Sequence, residues 1–365
     1  MLSPNEWDRY VDRVLNTLAL NSYLFLGLEH DGGPVMAPRD NGHTWVLDGS
    51  GQAISRYVEP VVTQMIGGGN RSVVVIDLTF DVSLLWTITS ECVRAGWPLR
   101  VLDSTPGNWS HAWLADQSHA TRQNNSQRSE GLVRALVPDH GPERHTFYPA
   151  ANEAFVDNIL AKYAGVSLEE LAKLLLDPNA VSFIPPDLRH DAALIRYAFA
   201  KVAAVPWLGV EVEQTDPEVL QAAVDARQLY HQKQALVIPL NAVEAPSTSR
   251  LVAGIVIQGI LAAGVREKRM CGVELVVIGG HKLASAFVES LFDGARNSGI
   301  NVTLVTREYM EMLESATELQ VLMGSPSLRV RDLVQRTSGT VMQPSVVWHQ
   351  RLTGGESDSV GKDSR

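Results

Sequence analysis

The chain has little cysteine, no long apolar run and no surplus of positive charge, and each absence excludes a class of protein. Its 365 residues include two cysteines, Cys92 and Cys271, which lie far apart and form no C-x-x-C pair. This excludes a disulfide framework and a cysteine zinc site. No window approaches the ~18 uninterrupted apolar residues that a membrane span requires. The net charge of −10 disfavours a broad non-specific grip on DNA or acidic lipid. We therefore expect a cytoplasmic protein.

Apolar segments are what the sequence has in abundance, and their pattern predicts an α/β fold. Short apolar runs bounded by turn residues alternate with stretches of helical periodicity, which is typical of a mostly parallel sheet covered on both faces. The predicted strands are Trp45–Leu47, Ser72–Ile76, Pro98–Leu102, Ala235–Leu240, Glu274–Ile278, Val302–Val305 and Leu319–Leu322. The predicted helices between them are Gln52–Met65, Val82–Ala95, Ser247–Ala263, Lys282–Asn297, Arg307–Leu313 and Leu328–Arg336.

The alternation stops for about 130 residues in the middle of the chain, where strand-like windows give way to helical periodicity. We predict an inserted all-helical domain at residues 113–232, within an α/β domain formed by residues 23–112 and 233–350. Residues 1–22 are predicted to form an amphipathic N-terminal helix, and residues 351–365 a disordered polar tail.

The turn after the first core strand has the layout of a phosphate-binding loop without its chemistry. The spacing G-x-x-x-x-G-K-[ST] supplies backbone N–H groups, a lysine and a magnesium-binding hydroxyl. Laid on this chain, the first glycine is Asp48, the second is Ala53, the lysine is Ile54, and Ser55 keeps the hydroxyl; Gly49, Ser50 and Gly51 lie between. Each lost charge-assisted contact is worth roughly 1.5–3 kcal/mol. The loop therefore argues against ATP binding of ordinary strength.

The order of the motifs resembles the coupling ATPases of conjugation and type IV secretion, a branch of the FtsK/HerA-type RecA-like motors. The similarity extends over residues 24–339. It lies in an approach segment at residues 27–43, a strand ending in Asp77, an Arg-x-Gly helix end at residues 94–96, a val-leu-asp strand at residues 100–103 and a last strand and turn at residues 321–327. The resemblance implies a RecA-like P-loop NTPase fold with an inserted all-helical domain.

The same resemblance implies that the catalytic groups have been replaced. The family's second motif is an apolar strand followed by Asp-Glu, which hold magnesium and orient the attacking water. Gly279 and Gly280 stand at those positions here, followed by His281. Arg307 stands where the family places a glutamine that senses the γ-phosphate.

Several of these residues admit two interpretations. Asp48 and Gly51 form either a remodelled ligand pocket or an ordinary strand-to-helix turn. His281 is either a reactive group at the carboxyl end of a strand or a structural histidine. Arg307 is either an arginine finger or an ion-pair partner of a nearby glutamate. The loop tryptophans Trp109 and Trp113 either stack on single-stranded DNA, or pack at an interface or in the inserted domain.

The sequence thus predicts a catalytically inactive relative of the coupling ATPases, a structural or regulatory subunit of a DNA- or protein-transfer assembly. Its expected partners are further copies of itself, a paralogous coupling ATPase or secretion-system subunits, with DNA as a further candidate and no membrane span. No cofactor or metal is predicted, although loop N–H groups leave weak binding of ATP with magnesium open. The alternative is an active DNA translocase in which Arg56 replaces the lysine, and Asp77 or Asp81 holds magnesium. A third hypothesis is a small-ligand enzyme built around His281. We expect a cytoplasmic location, peripheral to an inner-membrane secretion complex.

Overall fold

An eight-stranded parallel sheet lies at the centre of the molecule. The structure is a computed structural model that describes residues 23–28, 34–38, 42–103, 113–114, 200–201, 205, 207–208, 223–266, 271–323 and 346–348. The strands of this sheet are β3 (Thr44–Asp48), β4 (Ser72–Asp77), β5 (Leu99–Val101), β8 (Ala235–Pro239), β9 (Val273–Ile278), β10 (Ile300–Thr306), β11 (Leu319–Met323) and β12 (Val346–Trp348). From one edge of the sheet to the other, they lie in the order β12-β11-β3-β10-β9-β4-β8-β5.

Both faces of the sheet are buried, because apolar side chains point alternately to either side of each strand. In β9, Leu275 and Val277 join one apolar cluster, while Val276 and Ile278 join the other. Burying each such side chain stabilises the fold by roughly 1.5–3 kcal/mol. The continuous apolar runs in the sequence are therefore the mark of a sheet covered on both faces.

Helices from the two halves of the chain cover opposite faces. One cluster contains α1 (Glu59–Gly68), entered through a π-helical turn at Ile54–Val58, and α2 (Val82–Ala95). The other contains α4 (Pro246–Arg266) and α5 (Ser285–Ser298). Single helical turns form α3 (Gln228–His231) and α6 (Leu313–Ala316). Helix α4 is long and apolar enough to cross a membrane, but 67% of its most apolar window is buried within the protein.

A small antiparallel hairpin, β1 (Tyr23–Leu28) with β2 (Pro34–Pro38), covers the outside of α1. The Gln64 side chain of α1 holds the hairpin in place through two hydrogen bonds. Its Oε1 accepts a hydrogen bond from the Phe25 N–H at 2.7 Å, and its Nε2 donates to the Phe25 carbonyl at 2.8 Å. The approach segment of the sequence thus begins beside the helix that follows the candidate phosphate loop.

All seven predicted core strands are confirmed, and so are four of the predicted helices, with boundaries shifted by a few residues. The predicted helix Arg307–Leu313 is wrong: this segment is a loop, and only Leu313–Ala316 form a helical turn. The reason is tertiary packing, since Tyr309 stacks at a tilt on Trp45, with ring centroids 5.7 Å apart. The predicted helix Leu328–Arg336 lies outside the described residues.

The predicted inserted domain, N-terminal helix and C-terminal tail also lie mostly outside the described residues. Both ends of the predicted insertion are seen. There, β6 (Trp113–Leu114) pairs in parallel with β7 (Val224–Asp225), a short ladder that the expectation of an all-helical segment did not include. Trp113 is 2% exposed and contacts α4 closely, because a Cβ on Gly259 would lie 2.9 Å from its ring. This favours packing for Trp113 over stacking on DNA; Trp109 lies outside the described residues.

We expect the free energy of unfolding to fall in mild acid partly because of His43, which is buried just ahead of β3. Its Nδ1 accepts a hydrogen bond from the Val302 N–H at 3.2 Å. Burial lowers the pKa of His43 below its ordinary 6.5, Arg296 lowers it further, and Glu318 opposes both. Above pH 6.5 this contribution to stability is fully present. As the pH falls below that value, the unfolded chain takes up the proton first and the contribution is lost.

The measurement is urea unfolding between pH about 7.5 and about 5, compared with His43→Asn, which keeps an acceptor but cannot be protonated. The variant should lose less stability than the wild type over this interval. His281→Asn is the matched comparison, because the pKa of His281 is also lowered by burial but its side chain is only half-buried. Equal pH slopes for the wild type and His43→Asn would contradict the assignment.

Candidate functional site

The sequence-predicted site residues converge on one edge of the sheet. Strands β3, β10, β9 and β4 are consecutive neighbours, so their carboxyl ends form a continuous edge. In parallel α/β folds this is the edge where ligands bind. The residues that the structure brings to this edge are Asp48, Gly49, Ser50, Gly51, Ala53, Ile54, Ser55 and Arg56 after β3, Arg307 after β10, Gly279, Gly280 and His281 after β9, and Asp77 at the end of β4.

The carboxylate of Asp48 shapes the turn. Asp48 is 6% exposed, and its Oδ1 accepts hydrogen bonds from the Gln52 N–H at 3.0 Å and the Ser50 hydroxyl at 3.2 Å. The Gly49 N–H donates to the carbonyl of Met323 in the neighbouring strand at 2.7 Å. Gly51 has a φ of +72°, which favours glycine. Two of the loop's backbone N–H groups and one hydroxyl therefore already have partners in the protein.

The helix that follows begins without the groups a nucleotide site uses. Ala53 is fully buried, and Ile54, at the lysine position, is half-buried and packs on the apolar cluster below. The exposed Ser55 hydroxyl lies 3.4 Å from the Gln52 carbonyl, to which it donates. The Arg56 N–H donates to the same carbonyl at 3.0 Å. The first turn is π-helical, a wide form that often marks functional sites in helices.

The two glycines that follow β9 leave little or no room for a side chain. Gly279 has a φ of +78°, and a Cβ there would lie 3.2 Å from the Leu78 Cβ. At Gly280, a Cβ would lie 2.4 Å from the Leu304 Cδ1 and 2.7 Å from its Cγ. Leu304 is fully buried in the core. Any side chain at position 280 therefore requires the core to move.

His281 and Arg307 contact each other across β9 and β10. The Arg307 N–H donates to the His281 Nδ1 at 3.2 Å, and the Thr306 hydroxyl donates to the Glu308 carbonyl at 2.9 Å, which fixes the turn. Burial lowers the pKa of His281, Glu308 opposes this shift, and the nearby Lys282 and Arg307 lower the pKa further. The Arg307 guanidinium reaches over the loop, where its Nη2 lies 3.8 Å from the position of a Cβ on Gly51.

The Asp77 carboxylate accepts hydrogen bonds from the loop that follows β4. Asp77 is 2% exposed, and its Oδ1 accepts hydrogen bonds from the Thr79 N–H at 2.8 Å and the Thr79 hydroxyl at 2.6 Å. Its Oδ2 accepts from the Asp81 N–H at 2.5 Å. Asp81 in turn is the N-cap of α2, accepting from the N–H groups of Ser83 and Leu84. Both carboxylates proposed as magnesium ligands thus have structural partners.

Lys282 is a component of this edge that the sequence reasoning missed. Its Nζ donates to the Leu78 carbonyl at 2.9 Å. Burial lowers the pKa of Lys282, and repulsion from Arg307 lowers it further, while Asp77 raises it. The signal in the sequence was its place directly after Gly-Gly-His at the end of a core strand. Its ammonium is near enough to Asp77 for the negative charge of that carboxylate to raise the pKa of Lys282.

The residues at this edge do not fit magnesium or a nucleotide triphosphate as they stand. Mg²⁺ in phosphoryl transfer is held by a hydroxyl and carboxylates facing the phosphates. Here Ser55 donates to its own helix turn, Asp77 accepts from three donors, and β9 is followed by two glycines, which supply no side-chain ligand. Within the described ranges, no group of three or more His, Cys, Asp or Glu side chains is arranged to hold a metal.

Known proteins similar to this chain were found through their structures. No protein-family model matches the chain, and no curated protein matches its sequence. The unbound conjugative coupling protein TrwB is 11% identical, with a TM-score of 0.55, over 78% of this chain and 66% of that one. TrwB in complex with ADP and Mg²⁺ is 12% identical, with a TM-score of 0.53, over 84% and 71%. VirB4 of Thermoanaerobacter pseudethanolicus is 12% identical, with a TM-score of 0.54, over 87% and 88%.

These similarities show that the chain has the RecA-like P-loop NTPase fold of TrwB and VirB4. The RecA-like fold that the sequence resemblance implied is therefore confirmed, while the inserted domain lies mostly outside the described residues. The chain spans slightly less than two thirds of the unbound TrwB structure and most of VirB4. At 11–12% identity, the likeness extends to the fold alone.

Proposed function

We propose that this chain is a non-hydrolysing relative of the conjugation and type IV secretion ATPases, which acts as a structural or regulatory subunit of a DNA- or protein-transfer assembly. The observation that carries the proposal is the contact between Gly280 and Leu304. A carboxylate that orients water needs a side chain at position 280, and its Cβ would lie 2.4 Å from the Leu304 Cδ1. The chain thus has the fold of these ATPases, but Leu304 occupies the space that a side chain at position 280 would need.

The positive charges at the edge support the same proposal. Phosphoryl transfer rests on positioning and on neutralising charge around the transferred group. Here Lys282 donates to a backbone carbonyl near Asp77. The backbone of Arg307 is bound by His281. The Lys282 ammonium and the Arg307 backbone N–H thus stabilise the edge of the sheet itself.

A non-hydrolysing subunit acts through the partners it binds. Further copies of this chain, a paralogous coupling ATPase and secretion-system subunits are the partners that the fold suggests, because side-by-side assembly uses surfaces present in every copy. We place the protein in the cytoplasm, peripheral to an inner-membrane secretion complex. Native mass spectrometry of the protein recovered from its source cell tests this proposal. A strict monomer without a co-purifying subunit would count against it.

We expect the purified protein to give no saturable heat with ATP and magnesium up to millimolar nucleotide. This result corresponds to a binding free energy weaker than about −4 kcal/mol. Phosphate release should stay at background with and without single- or double-stranded DNA. Isothermal titration calorimetry and a phosphate-release assay make these measurements.

DNA-stimulated phosphate release would instead support the alternative of an active translocase. Arg56→Ala and Asp77→Ala would then test its specific assignment. Activity that persists in both variants would exclude these residues as substitutes for the lysine and the magnesium ligand. Saturable ATP binding without turnover would still agree with a non-hydrolysing subunit, and it would indicate that the nucleotide regulates this subunit.

A further inference from the structure

Helix α2 carries an exposed apolar stripe on its outer side. Val82 is 55% exposed, Trp86 68% and Val93 79%. At 100° per residue, these three positions lie within about 40° of one another around the helix. We call Val82, Trp86 and Val93 the α2 stripe. Single exposed apolar residues are common, but a tryptophan and two valines aligned along one helix face indicate a surface that another segment covers.

The α2 stripe is not used by the core of the described structure. The opposite side of the helix is buried, where Leu84, Ile88 and Cys92 join the apolar cluster shared with α1 and the sheet. Phe80, 36% exposed, extends the apolar surface beyond the N-terminus of the helix. Packing on its inner side therefore stabilises α2, and its outer side is accessible to a further contact.

Residues 1–22 enter the described fold next to this helix layer. They lead directly into β1, which is held against α1 by the hydrogen bonds between Phe25 and Gln64. Helix α1 contacts α2, and the two are joined by the Glu59 Oε1, which accepts from the Ser83 hydroxyl at 3.1 Å and from the Thr87 hydroxyl at 3.3 Å. A segment that ends at residue 22 thus ends one helix away from the stripe.

The sequence of this segment has the spacing that the stripe requires. Trp7, Val11, Val14 and Leu18 repeat at i, i+4, i+7 and i+11. The α2 stripe occupies i, i+4 and i+11 of the same pattern. A helix of 22 residues is about 33 Å long and can follow the roughly 21 Å of α2 along its whole length. The charged residues of the segment, among them Arg9 and Asp12, fall outside this apolar face.

We propose that residues 1–22 form an amphipathic helix that lies along the α2 stripe and covers Trp86. The segment of this chain is favoured over a foreign partner because it is tethered beside α1 and has matching apolar spacing, so no association between molecules is needed. A consequence is that α2 is closed to a partner subunit while the segment is in place.

Disulfide mapping in the full-length chain tests the proposal. In a background with Cys92→Ala and Cys271→Ala, Trp86→Cys is combined in turn with Trp7→Cys, Val11→Cys, Val14→Cys and Leu18→Cys. A disulfide requires Cα atoms about 4.4–6.8 Å apart, so we expect one or two of these pairs to oxidise within the monomer. The control is Trp86→Cys with Arg9→Cys, which lies about 200° around the helix from Val11 and should stay reduced.

Limited proteolysis gives an independent readout that needs no cysteines. Trp86→Ser should speed cleavage within residues 1–22 by about tenfold, because it removes the largest contact of the covered face. Val243→Ser is the matched control, since Val243 is 79% exposed but lies outside the stripe. Disulfides only between two copies would show that a second molecule covers the stripe. Reduced pairs with unchanged cleavage would show it open to another partner. Either result overturns the proposal.

Discussion

Gly280→Ala is expected to lower the free energy of unfolding by about 1–3 kcal/mol, the usual cost of overpacking a core. The new Cβ would lie 2.4 Å from the Leu304 Cδ1, and Leu304 is completely buried, so the contact cannot be relieved by a surface rotation. Gly280→Glu should cost more, because the longer side chain must also find a path out of the core. Urea unfolding monitored by fluorescence measures both changes.

Gly294→Ala is the matched control for this prediction. Gly294 lies within α5, and a Cβ there would approach Leu261 no closer than 3.4 Å, an ordinary contact. Alanine should be neutral or stabilise by up to about 1 kcal/mol, since glycine is the poorer helix former. If Gly280→Ala were as stable as the wild type, position 280 would have room for a side chain. The observation that carries the proposed function would then be lost.

Introducing the charged residues of the coupling-ATPase motifs should not produce hydrolysis. The variant combines Ile54→Lys, Gly279→Asp and Gly280→Glu, at the positions where the sequence resemblance places those groups. The buried surroundings of position 280 prevent the last of them from reaching the productive geometry, and misplacement by about 1 Å costs on the order of 100-fold in rate. Phosphate release at background from a folded variant is the expected result. Turnover above background would show that the edge can adapt.

Asp77→Ala is expected to lower the free energy of unfolding by about 2–4 kcal/mol, because it leaves three donors of a partly buried loop without their acceptor. The lost contacts are the hydrogen bonds from the Thr79 N–H, the Thr79 hydroxyl and the Asp81 N–H. Asp77→Asn keeps one acceptor oxygen and should lose less. Asp81→Ala, which removes the half-buried N-cap of α2, should cost about 1 kcal/mol and serves as the comparison.

The same variants decide whether Asp77 binds a metal. Millimolar Mg²⁺ should leave the Tm of the wild type, Asp77→Asn and Asp81→Ala unchanged, since the carboxylate of Asp77 already accepts from three donors. A rise in Tm on adding Mg²⁺ that appears in the wild type but not in Asp77→Asn would identify Asp77 as a metal ligand. The active translocase would then become the better description of the protein.

The strands and main helices could be predicted from the sequence because their signals are local. Apolar runs such as residues 273–278 predict buried strands, and the helical spacing of apolar residues in residues 82–95 predicts a helix. The loop at residues 307–312 was missed because its conformation depends on distant partners. Tyr309 packs on Trp45, and the Arg307 N–H donates to His281. The apolar periodicity within residues 307–312 carries no information about those distant contacts.

The sequence by itself determined the class of fold and the identity of the groups at the candidate site, because strand and helix patterns and the replaced motif residues can be read along the chain. Only the tertiary structure decided how these groups are used. It brings Leu304 into the space beside Gly280 and the Arg307 guanidinium over Gly51. It also directs the carboxylate of Asp77 to the backbone of its own loop. The first two contacts join strands and loops that are remote in sequence, and the third fixes the direction of the Asp77 side chain. All three depend on packing and strand order rather than on local conformational preference.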